Sequence, residues 1–352
     1  ILCSLEIARA LSPPVTPPTA SVPTRMVRNL ITRKVRSCCP TRICRNKAGP
    51  GEVALTATAI TAIRGAVTIS PNTEKTISTI RLLARISLSR RNPSEKISQL
   101  GNGGPAIERL NLQQYRHGGE ALHGVMDFTH NTTIFPSPIG LGSTWNTDLI
   151  HRMATAISDE ARILARKKGK SLVFFSPNLN IGRDPRWGRN DEAYSEDPYL
   201  MGQMGKAFIT GLQGDHPHYL KAVASPKHFV ANNEDWKRHF GSAYINKRSL
   251  HEYFLPAFKT AFTEADAAST MAAFNEINDL PCHANRWLLT DLLRDQWGFD
   301  GYVVADHSGV RDLHLFHRYA PTRAKANAEA LKAGIDMTNL YYPKYMKETL
   351  EE

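Results

Sequence analysis

The first 100 residues lack most of what a folded domain is built from. They contain no Phe, Trp, Tyr, His or Asp, and the first aromatic residue of the chain is Tyr115. Aromatic side chains supply much of the area that a protein core buries. The segment also holds nine of the 21 prolines, and stretches such as LSPPVTPPTASVPT have neither helical nor strand periodicity. We therefore expect residues 1–78 to be a disordered or atypical basic segment rich in Pro, Arg, Ser and Thr.

Acidic residues are scarce in the same segment. Residues 1–100 carry 16 Lys and Arg against four Glu, a net charge of +12, whereas the whole chain carries +11. A basic arm could bind nucleic acid, but this one has no aromatic residues for base stacking. A transit peptide would rarely be so rich in Pro and Cys, and an unnatural reading of the gene remains a further alternative. No nucleic-acid partner is expected.

Other absences exclude several kinds of site and structure from the chain. Beyond residue 100 there is one cysteine, Cys282, so a disulfide framework is excluded there, and Cys38, Cys39 and Cys44 have no CxxC spacing or nearby His for zinc. No run of 18 apolar residues exists, so no membrane span is predicted. The GxGxxG and GxxxxGK patterns of nucleotide-binding sheets are missing as well. We expect neither a metal nor an organic cofactor.

What the sequence does contain is an alternation of strand and helix patterns. The predicted strands are TTIFPS (132–137), SLVFFSP (171–177), KAVASP (221–226), ASTMAAF (268–274), GYVVAD (301–306) and AGIDMT (333–338). Helical patterns run from an Asn146 N-cap to Gly169 and over 198–213, 248–265, 285–298 and 322–332. This alternation predicts a parallel sheet with crossover helices. The number of units favours a (β/α)8 TIM-type barrel, complete or incomplete, over an open sheet.

Polar residues gather where the predicted strands end. Asp306 closes GYVVAD, Lys227 and His228 follow KAVASP, and Phe274 closes ASTMAAF. Barrel enzymes carry their chemistry at the carboxyl ends of the strands. Alone, Asp306 would be interpreted as a turn or helix-cap residue, and its companions raise the catalytic interpretation above that alternative.

Two further segments supply charged groups to the predicted site. GGEALHGV contributes Glu120, and RDPRWGRNDEAYSEDPYL contributes Arg189; Arg183 and Asp184 are expected to pair within that second loop. Because sugar hydroxyls both donate and accept hydrogen bonds, charged groups of both signs can bind them. The set therefore favours a neutral, hydroxyl-rich ligand.

At these residues the chain resembles glycoside hydrolase family 3. The matching blocks are EALHGV, TIFPSPIGLGSTWN, RDPRWGRNDEAYSEDPYL, GLQGD, PKHFVANNE, LHEYFLPAF, ANRWLLTDLLRDQWGFDGYVVAD and ALKAGIDM, in order over about residues 95–338. The resemblance implies that residues 79–340 are the family's N-terminal barrel domain. It also implies that 341–352 begin a linker to an α/β sandwich domain.

The resemblance implies an exo-acting retaining β-glycosidase, of β-glucosidase or β-xylosidase type, with oligosaccharide or aryl and alkyl β-glycoside substrates. Asp306 would be the catalytic nucleophile. Arg189, Lys227 and His228 would bind the terminal sugar, and Glu120 would bind its far hydroxyl. We also expect Arg189 and Lys227 to lower the pKa of Asp306. A secreted or periplasmic location is implied by the family alone.

The chain departs from the family pattern at three places. Phe274 stands where a Tyr is usual, and Ala305 with Asp306 replaces the commoner Ser-Asp. His307 takes a position where Cys, Tyr or Trp is frequent, and we place it with Phe274 among the substrate-binding residues. The family's acid/base glutamate usually belongs to the following domain, and neither Asp235 nor His239 fits the pattern of the branch that uses a His and an Asp instead. We expect little or no turnover from this chain; the alternative is a fragment that binds carbohydrate without cleaving it.

Overall fold

The computed structural model describes residues 91–101, 103–217 and 219–338, together with Tyr345, Glu348 and Thr349. The prediction for residues 1–78, and nearly all of that for 341–352, lies outside the described residues. No described helix is long and apolar enough to cross a lipid bilayer.

The described residues alternate short strands with helices. The strands are β1 (Gly103–Gly104), β2 (Tyr115–Arg116), β3 (Val173–Phe174), β4 (Val223–Ala224), β5 (Ser242–Ala243), β6 (Ser269–Ala272), β7 (Glu276–Ile277), β8 (Leu280–Pro281) and β9 (Tyr302–Ala305). The α-helices are Pro93–Ser98, Pro138–Gly142, Thr147–Lys168, Pro198–Gln213, Lys247–Ser249, Pro256–Thr263, Gly309–Leu315 and Arg323–Ala333. Leu250–Phe254 and Trp287–Gln296 are π-helical, and Glu108–Leu110, Asn190–Glu192 and Cys282–Ala284 form 3₁₀ turns.

Successive segments of the chain pair in parallel. β3 pairs with β4, and β6 pairs with β9. Single parallel bridges extend the ladder from Gly119 to Phe174, from Phe229 to Ala272 and from Val304 to Met337. Six segments thus lie side by side in the order of the sequence, so their carboxyl ends meet at one edge.

The predicted α/β fold with a parallel sheet is therefore confirmed, and closure into a barrel is not. Among the described residues, no backbone pairing joins the segment at Met337 to the segment at Gly119. A separate three-stranded sheet lies outside the ladder, with β7 parallel to β5 and antiparallel to β8.

Five of the six predicted strand regions take part in the ladder. The prediction of a strand at TTIFPS was wrong. Residues 131–137 form no strand, and instead Phe135 N–H donates to the carbonyl of His123 at 2.8 Å. The ladder's first segment is at Gly119, in a Gly-rich stretch without an apolar run. An apolar pattern could not predict this segment, because it joins the ladder through a residue without a side chain. A Cβ on Gly119 would lie 2.7 Å from the Phe174 ring.

The helix ends follow the predicted capping chemistry. The Asn146 side chain accepts from Leu149 N–H, and Gly169 ends that helix in the left-handed region at φ 63°. Asp197 caps the helix Pro198–Gln213 by accepting from Leu200 N–H at 2.7 Å. The helices fall where they were predicted because their caps and their apolar periodicity agree.

A matched pair of glycines in the helix Pro138–Gly142 tests this packing. A Cβ on Gly142 would lie 1.8 Å from the carbonyl oxygen of Tyr194, whereas a Cβ on Gly140 would have no neighbour within 4 Å. We expect Gly142→Ala to lower the free energy of unfolding by about 3 kcal/mol, since a backbone group must move. Gly140→Ala should be neutral or stabilising by up to about 1 kcal/mol. Urea denaturation measures both, and equal stability of the two variants would contradict the packing.

Candidate active site

One cavity collects every side chain predicted for the site. It has a volume of about 530 Å³ and opens at the edge where the strands' carboxyl ends meet. Its lining includes Glu120, Arg189, Lys227, His228, Phe274, Asp306 and His307. Asp306 directly follows β9, Phe274 lies two residues beyond β6, and Lys227 lies three beyond β4. The parallel ladder thus brings together residues that are far apart in sequence.

Glu120 and Lys227 form an ion pair in the cavity wall. Lys227 Nζ donates to Glu120 Oε2, and Ser176 Oγ donates to Oε1. The Lys227 side chain is only 7% exposed, so its charge needs a partner. This pairing holds both groups in place before any ligand arrives, and a hydroxyl between them could donate to one and accept from the other.

Arg189 is held by a bidentate contact with Glu192. Its Nε and NH2 each lie 2.7 Å from a Glu192 oxygen, and Asn178 donates to the same carboxylate at 3.1 Å. The third nitrogen, NH1, lies 3.2 Å from His228 Nε2. A planar guanidinium fixed at two nitrogens has a defined orientation. Arg189 is therefore directed at His228 by its own loop.

His228 is a buried, neutral imidazole of one tautomer. Asn180 donates through Nδ2 to the His228 carbonyl and accepts from the His228 main-chain N–H, which fixes the orientation of its amide. Its Oδ1 also lies 2.9 Å from His228 Nδ1, so Nδ1 carries the hydrogen. Nε2 is then the acceptor for Arg189. Burial, and then the neighbouring cations, hold the pKa of His228 well below its ordinary value.

The Asp306 carboxylate is bound at one oxygen only. Oδ1 accepts from His307 N–H at 2.7 Å, whereas Oδ2 is shielded from solvent and has no hydrogen-bond donor among the described residues. Oδ2 lies 3.7 Å from His228 Nε2. Because that nitrogen is an acceptor, the two atoms cannot bond to each other. Asp306 therefore lines the cavity with a carboxylate whose Oδ2 is buried and has no hydrogen-bond donor among the described residues.

The pKa of Asp306 is set by burial against neighbouring charges. Burial raises it from 3.8 to about 6, although Lys227, Arg189 and Arg238 each lower it. The predicted lowering effect of Arg189 and Lys227 is present, and burial outweighs it. Neither cation forms an ion pair with Asp306, because Lys227 pairs with Glu120 and Arg189 with Glu192. Desolvation is consequently the larger effect.

One wall of the cavity was not predicted. Arg238 lies over the Phe274 ring at 5.6 Å, and the His239 ring centroid is 4.5 Å from that of Phe274. His239 Nδ1 contacts the buried Asp312 carboxylate at 2.6 Å. The available signal was position alone, since Arg238 and His239 follow the Lys-His pair and Asp312 follows Asp306 in sequence.

Pairing within the loop is confirmed for Asp184 and not for Arg183. Asp184 pairs with Arg186 at 2.6 Å, while Arg183 lies over the Phe254 ring. The His317 side chain is 1% exposed and contacts Glu276 and the carbonyl of Phe274. The loop after the helix Gly309–Leu315 turns inward, which a helical pattern does not indicate.

The cavity suits a neutral polyol. It presents two carboxylates, a neutral imidazole acceptor and the Phe274 ring, together with four cations that each form an ion pair: Arg189, Lys227, Arg238 and Arg311. Among the described residues, no group of three His, Cys, Asp or Glu side chains is placed to hold a metal ion.

Comparison with known families agrees with this picture. The family model for the glycosyl hydrolase family 3 N-terminal domain matches residues 117–351. The chain belongs to glycosyl hydrolase family 3, and the resemblance identified in the sequence is confirmed.

The relatives are β-xylosidases and β-glucosidases. A β-xylosidase of Formosa agariphila is 41% identical over 261 residues, which cover 71% of this chain and 35% of the relative. A solved GH3 exo-β-xylosidase, bound to a xylobiose aziridine probe, has a TM-score of 0.72 at 34% identity and covers 77% of this chain and 37% of its own. A β-glucosidase of Bifidobacterium adolescentis has a TM-score of 0.63 at 31% identity, covering 75% of this chain and 36% of its own. The chain therefore spans little more than a third of these proteins.

The raised pKa of Asp306 predicts that its charge costs stability. Between pH 3.8 and about 6 the folded state binds more protons at this group than the unfolded state, so stability falls as pH rises through that window. Above it the cost is about 3 kcal/mol. We expect Asp306→Asn to raise the melting temperature at pH 7.5 and to have little effect at pH 4.

Asp312→Asn is the matched control. Asp312 is fully buried, and its carboxylate contacts His239 and Arg311, so its removal should lower the melting temperature at pH 7.5. Thermal denaturation of both variants at the two pH values measures this. Destabilisation by Asp306→Asn at pH 7.5 would contradict the unpartnered carboxylate.

Proposed function

We propose that this chain is the nucleophile-bearing part of a retaining, exo-acting β-glycosidase that removes terminal β-D-xylose or β-D-glucose. One observation carries the proposal: the Asp306 side chain lines a cavity that also contains paired cations and a neutral His228. Its carboxylate forms no ion pair with those cations, and the described residues give Oδ2 no hydrogen-bond donor, so lone pairs are left for attack. The family membership supports the same role.

In this proposal the Asp306 carboxylate attacks the anomeric carbon of the terminal sugar. The bond to the leaving oxygen breaks, an acid/base group protonates that oxygen, and a glycosyl-enzyme forms. Water, deprotonated by the same group, then attacks the same carbon and releases both the sugar and the Asp306 carboxylate. The configuration is retained because two displacements occur at one centre.

The remaining side chains bind the sugar. Glu120 and Lys227 form a pair that can accept from and donate to one diol. His228 Nε2 and Arg189 NH1 offer an acceptor and a donor near Asp306 Oδ2. Phe274 supplies an apolar face, and His307 lies at the opening where a leaving group would sit. These groups place the anomeric carbon over Asp306.

We further propose that the parallel ladder closes into a (β/α)8 barrel spanning 79–340 in the whole protein. The acid/base glutamate would belong to a following α/β sandwich domain that begins after the linker 341–352. A secreted or periplasmic location, with a carbohydrate polymer or glycoside as substrate, belongs to the same proposal. Similarity to the β-xylosidase of Formosa agariphila and to the solved exo-β-xylosidase favours xylose over glucose.

A second function, carbohydrate binding without turnover, has its own support. Glu120 is the other carboxylate that lines the described cavity, and it is occupied by Lys227 and Ser176. A second carboxyl group in a retaining enzyme lies about 5–5.5 Å from the nucleophile and must exchange protons. A group tied into an ion pair is poorly suited to that role, so the chain by itself could bind a sugar and form the covalent intermediate without completing the cycle.

Covalent labelling tests the nucleophile without requiring an acid. A 2,4-dinitrophenyl 2-deoxy-2-fluoro-β-xyloside, or the corresponding glucoside, carries a leaving group that departs unprotonated. We expect the chain to gain the mass of one fluorosugar, and Asp306→Ala to gain none. Asp215→Ala, which removes an exposed carboxylate in a turn, should label normally. Intact-protein mass spectrometry measures this, and labelling of Asp306→Ala would refute the assignment.

The rate of labelling should depend on the ionisation of Asp306. Its pKa of about 6 predicts that the second-order rate constant falls as pH drops through 6, since only the carboxylate attacks. The measurement is the labelling rate from pH 4 to 8. A half-maximal rate near pH 4 would contradict the raised pKa of Asp306.

The completeness of the site is tested with the unfluorinated aryl glycosides. Little or no turnover is expected from this chain, and turnover should appear in a version extended by the sandwich domain. Binding of xylose or glucose with no labelling of either version would favour the non-catalytic alternative.

A further inference from the structure

The main chain of Asp306 leaves the parallel ladder at the nucleophile itself. Ala305 N–H donates to the carbonyl of Met337 at 2.9 Å, which is the last ladder bond of β9. The next N–H, that of Asp306, has no strand partner. Its acceptor is the side chain of His283, whose Nε2 lies 3.2 Å away. A residue from a different segment thus takes over where the strand's own hydrogen bonds end.

The same imidazole contacts the far end of the turn that follows. A Cβ on Gly309 would lie 2.2 Å from His283 Cε1 and 2.4 Å from Nε2, so the ring occupies the space of a side chain at that position. Gly309 N–H in turn donates to the carbonyl of Asp306 at 2.9 Å. Between them, Ser308 has a left-handed φ of 70°. His283 therefore holds both ends of the turn 306–309.

Burying His283 costs stability that a side chain with a purely structural role would not cost. It is completely buried, and its Nδ1 has no hydrogen-bond partner among the described residues. Since Nε2 accepts from Asp306, Nδ1 must carry the hydrogen. An unpartnered buried donor is destabilising, and an apolar side chain would fill the same space without that penalty. The Nε2 acceptor is what only the histidine supplies.

We propose that His283 is the positioning residue of this site: it fixes the main chain of Asp306 and thereby the direction of the attacking carboxylate. This inference rests on the proposed role of Asp306. Oδ1 is bound by the next peptide N–H and Oδ2 by no described donor, so the carboxylate follows its own main chain. A displacement of about 1 Å at a reacting group can cost about 100-fold in rate.

Burial supports the assignment from another direction. It lowers the pKa of His283 to about 3, with a smaller contribution from His317, so the Nε2 lone pair is available throughout the working range of pH. The charged groups that lower the pKa of Asp306 are Lys227, Arg189 and Arg238. Among the described residues, none of the three contacts His283. A change at His283 should therefore reach Asp306 through geometry and not through charge.

The test compares His283→Leu with His283→Gln. Leucine fills space without an acceptor, whereas the glutamine side-chain oxygen can accept from Asp306 N–H. His117→Leu is the matched control, because His117 is also a buried histidine with an unpartnered Nε2, and it contacts Tyr302 at the opposite end of β9. All three variants are expected to lower the melting temperature. Only His283→Leu should change the titration and the labelling rate of Asp306.

The first measurement needs no substrate. The stability difference between each variant and its Asp306→Asn partner, followed from pH 3 to 8, reports the titration of Asp306 in the folded state. We expect its midpoint to move toward that of an ordinary aspartate in His283→Leu, to stay near 6 in His283→Gln, and to be unchanged in His117→Leu. An unmoved midpoint in His283→Leu overturns the inference.

The second measurement is the labelling rate with the fluorosugar, normalised to the fraction of protein that reacts. We expect a loss of about 100-fold in His283→Leu with a similar half-saturating concentration, and recovery to within about tenfold in His283→Gln. A loss equal to that of His117→Leu would overturn the inference. If no form labels and the midpoint still moves in His283→Leu, the glycosidase proposal fails while the positioning role stands.

Discussion

The structure depends on keeping one carboxylate dry without giving it a counterion. Asp306 is surrounded by Lys227, Arg189 and Arg238, yet each of these cations forms an ion pair elsewhere, with Glu120, Glu192 and Asp235 respectively. Their fields lower the cost of burying the charge but do not remove the lone pairs of Oδ2 from use. A direct ion pair would stabilise the fold and would occupy those lone pairs. The raised pKa of Asp306 is the thermodynamic consequence of that arrangement.

The parallel ladder brings residues that are far apart in sequence close together in space. Four of the six ladder segments supply these residues to the same edge: Glu120 after the first, Lys227 and His228 after β4, Phe274 after β6 and Asp306 after β9. Since parallel neighbours all point the same way, no loop has to cross the sheet to complete the cavity. The cavity's precision therefore derives from backbone pairing, and its chemistry from the residue that follows each strand.

Much of this could be read from the sequence, because strands, helix caps and the position of polar residues at strand ends are local signals. Asn146, Gly169 and Asp197 act as their local chemistry predicts. The first ladder segment could not be predicted, since Gly119 joins it through a close approach to Phe174 and not through an apolar pattern.

The direction of the Asp306 pKa was also beyond the sequence. That pKa depends on which carboxylate pairs with each cation. Glu192 pairs with Arg189 and Glu120 with Lys227 only once the chain is folded. His283 has no local pattern at all, because its partner lies 23 residues away in the chain.

The bidentate hold of Glu192 on Arg189 has a consequence for how such a site can diversify. Both residues belong to one loop, so the guanidinium carries its own support with it. Lengthening or replacing the rest of that loop alters what surrounds the cavity while the ladder beneath stays intact. Natural variation can thus change what the cavity accepts by exchanging loop segments on a conserved scaffold.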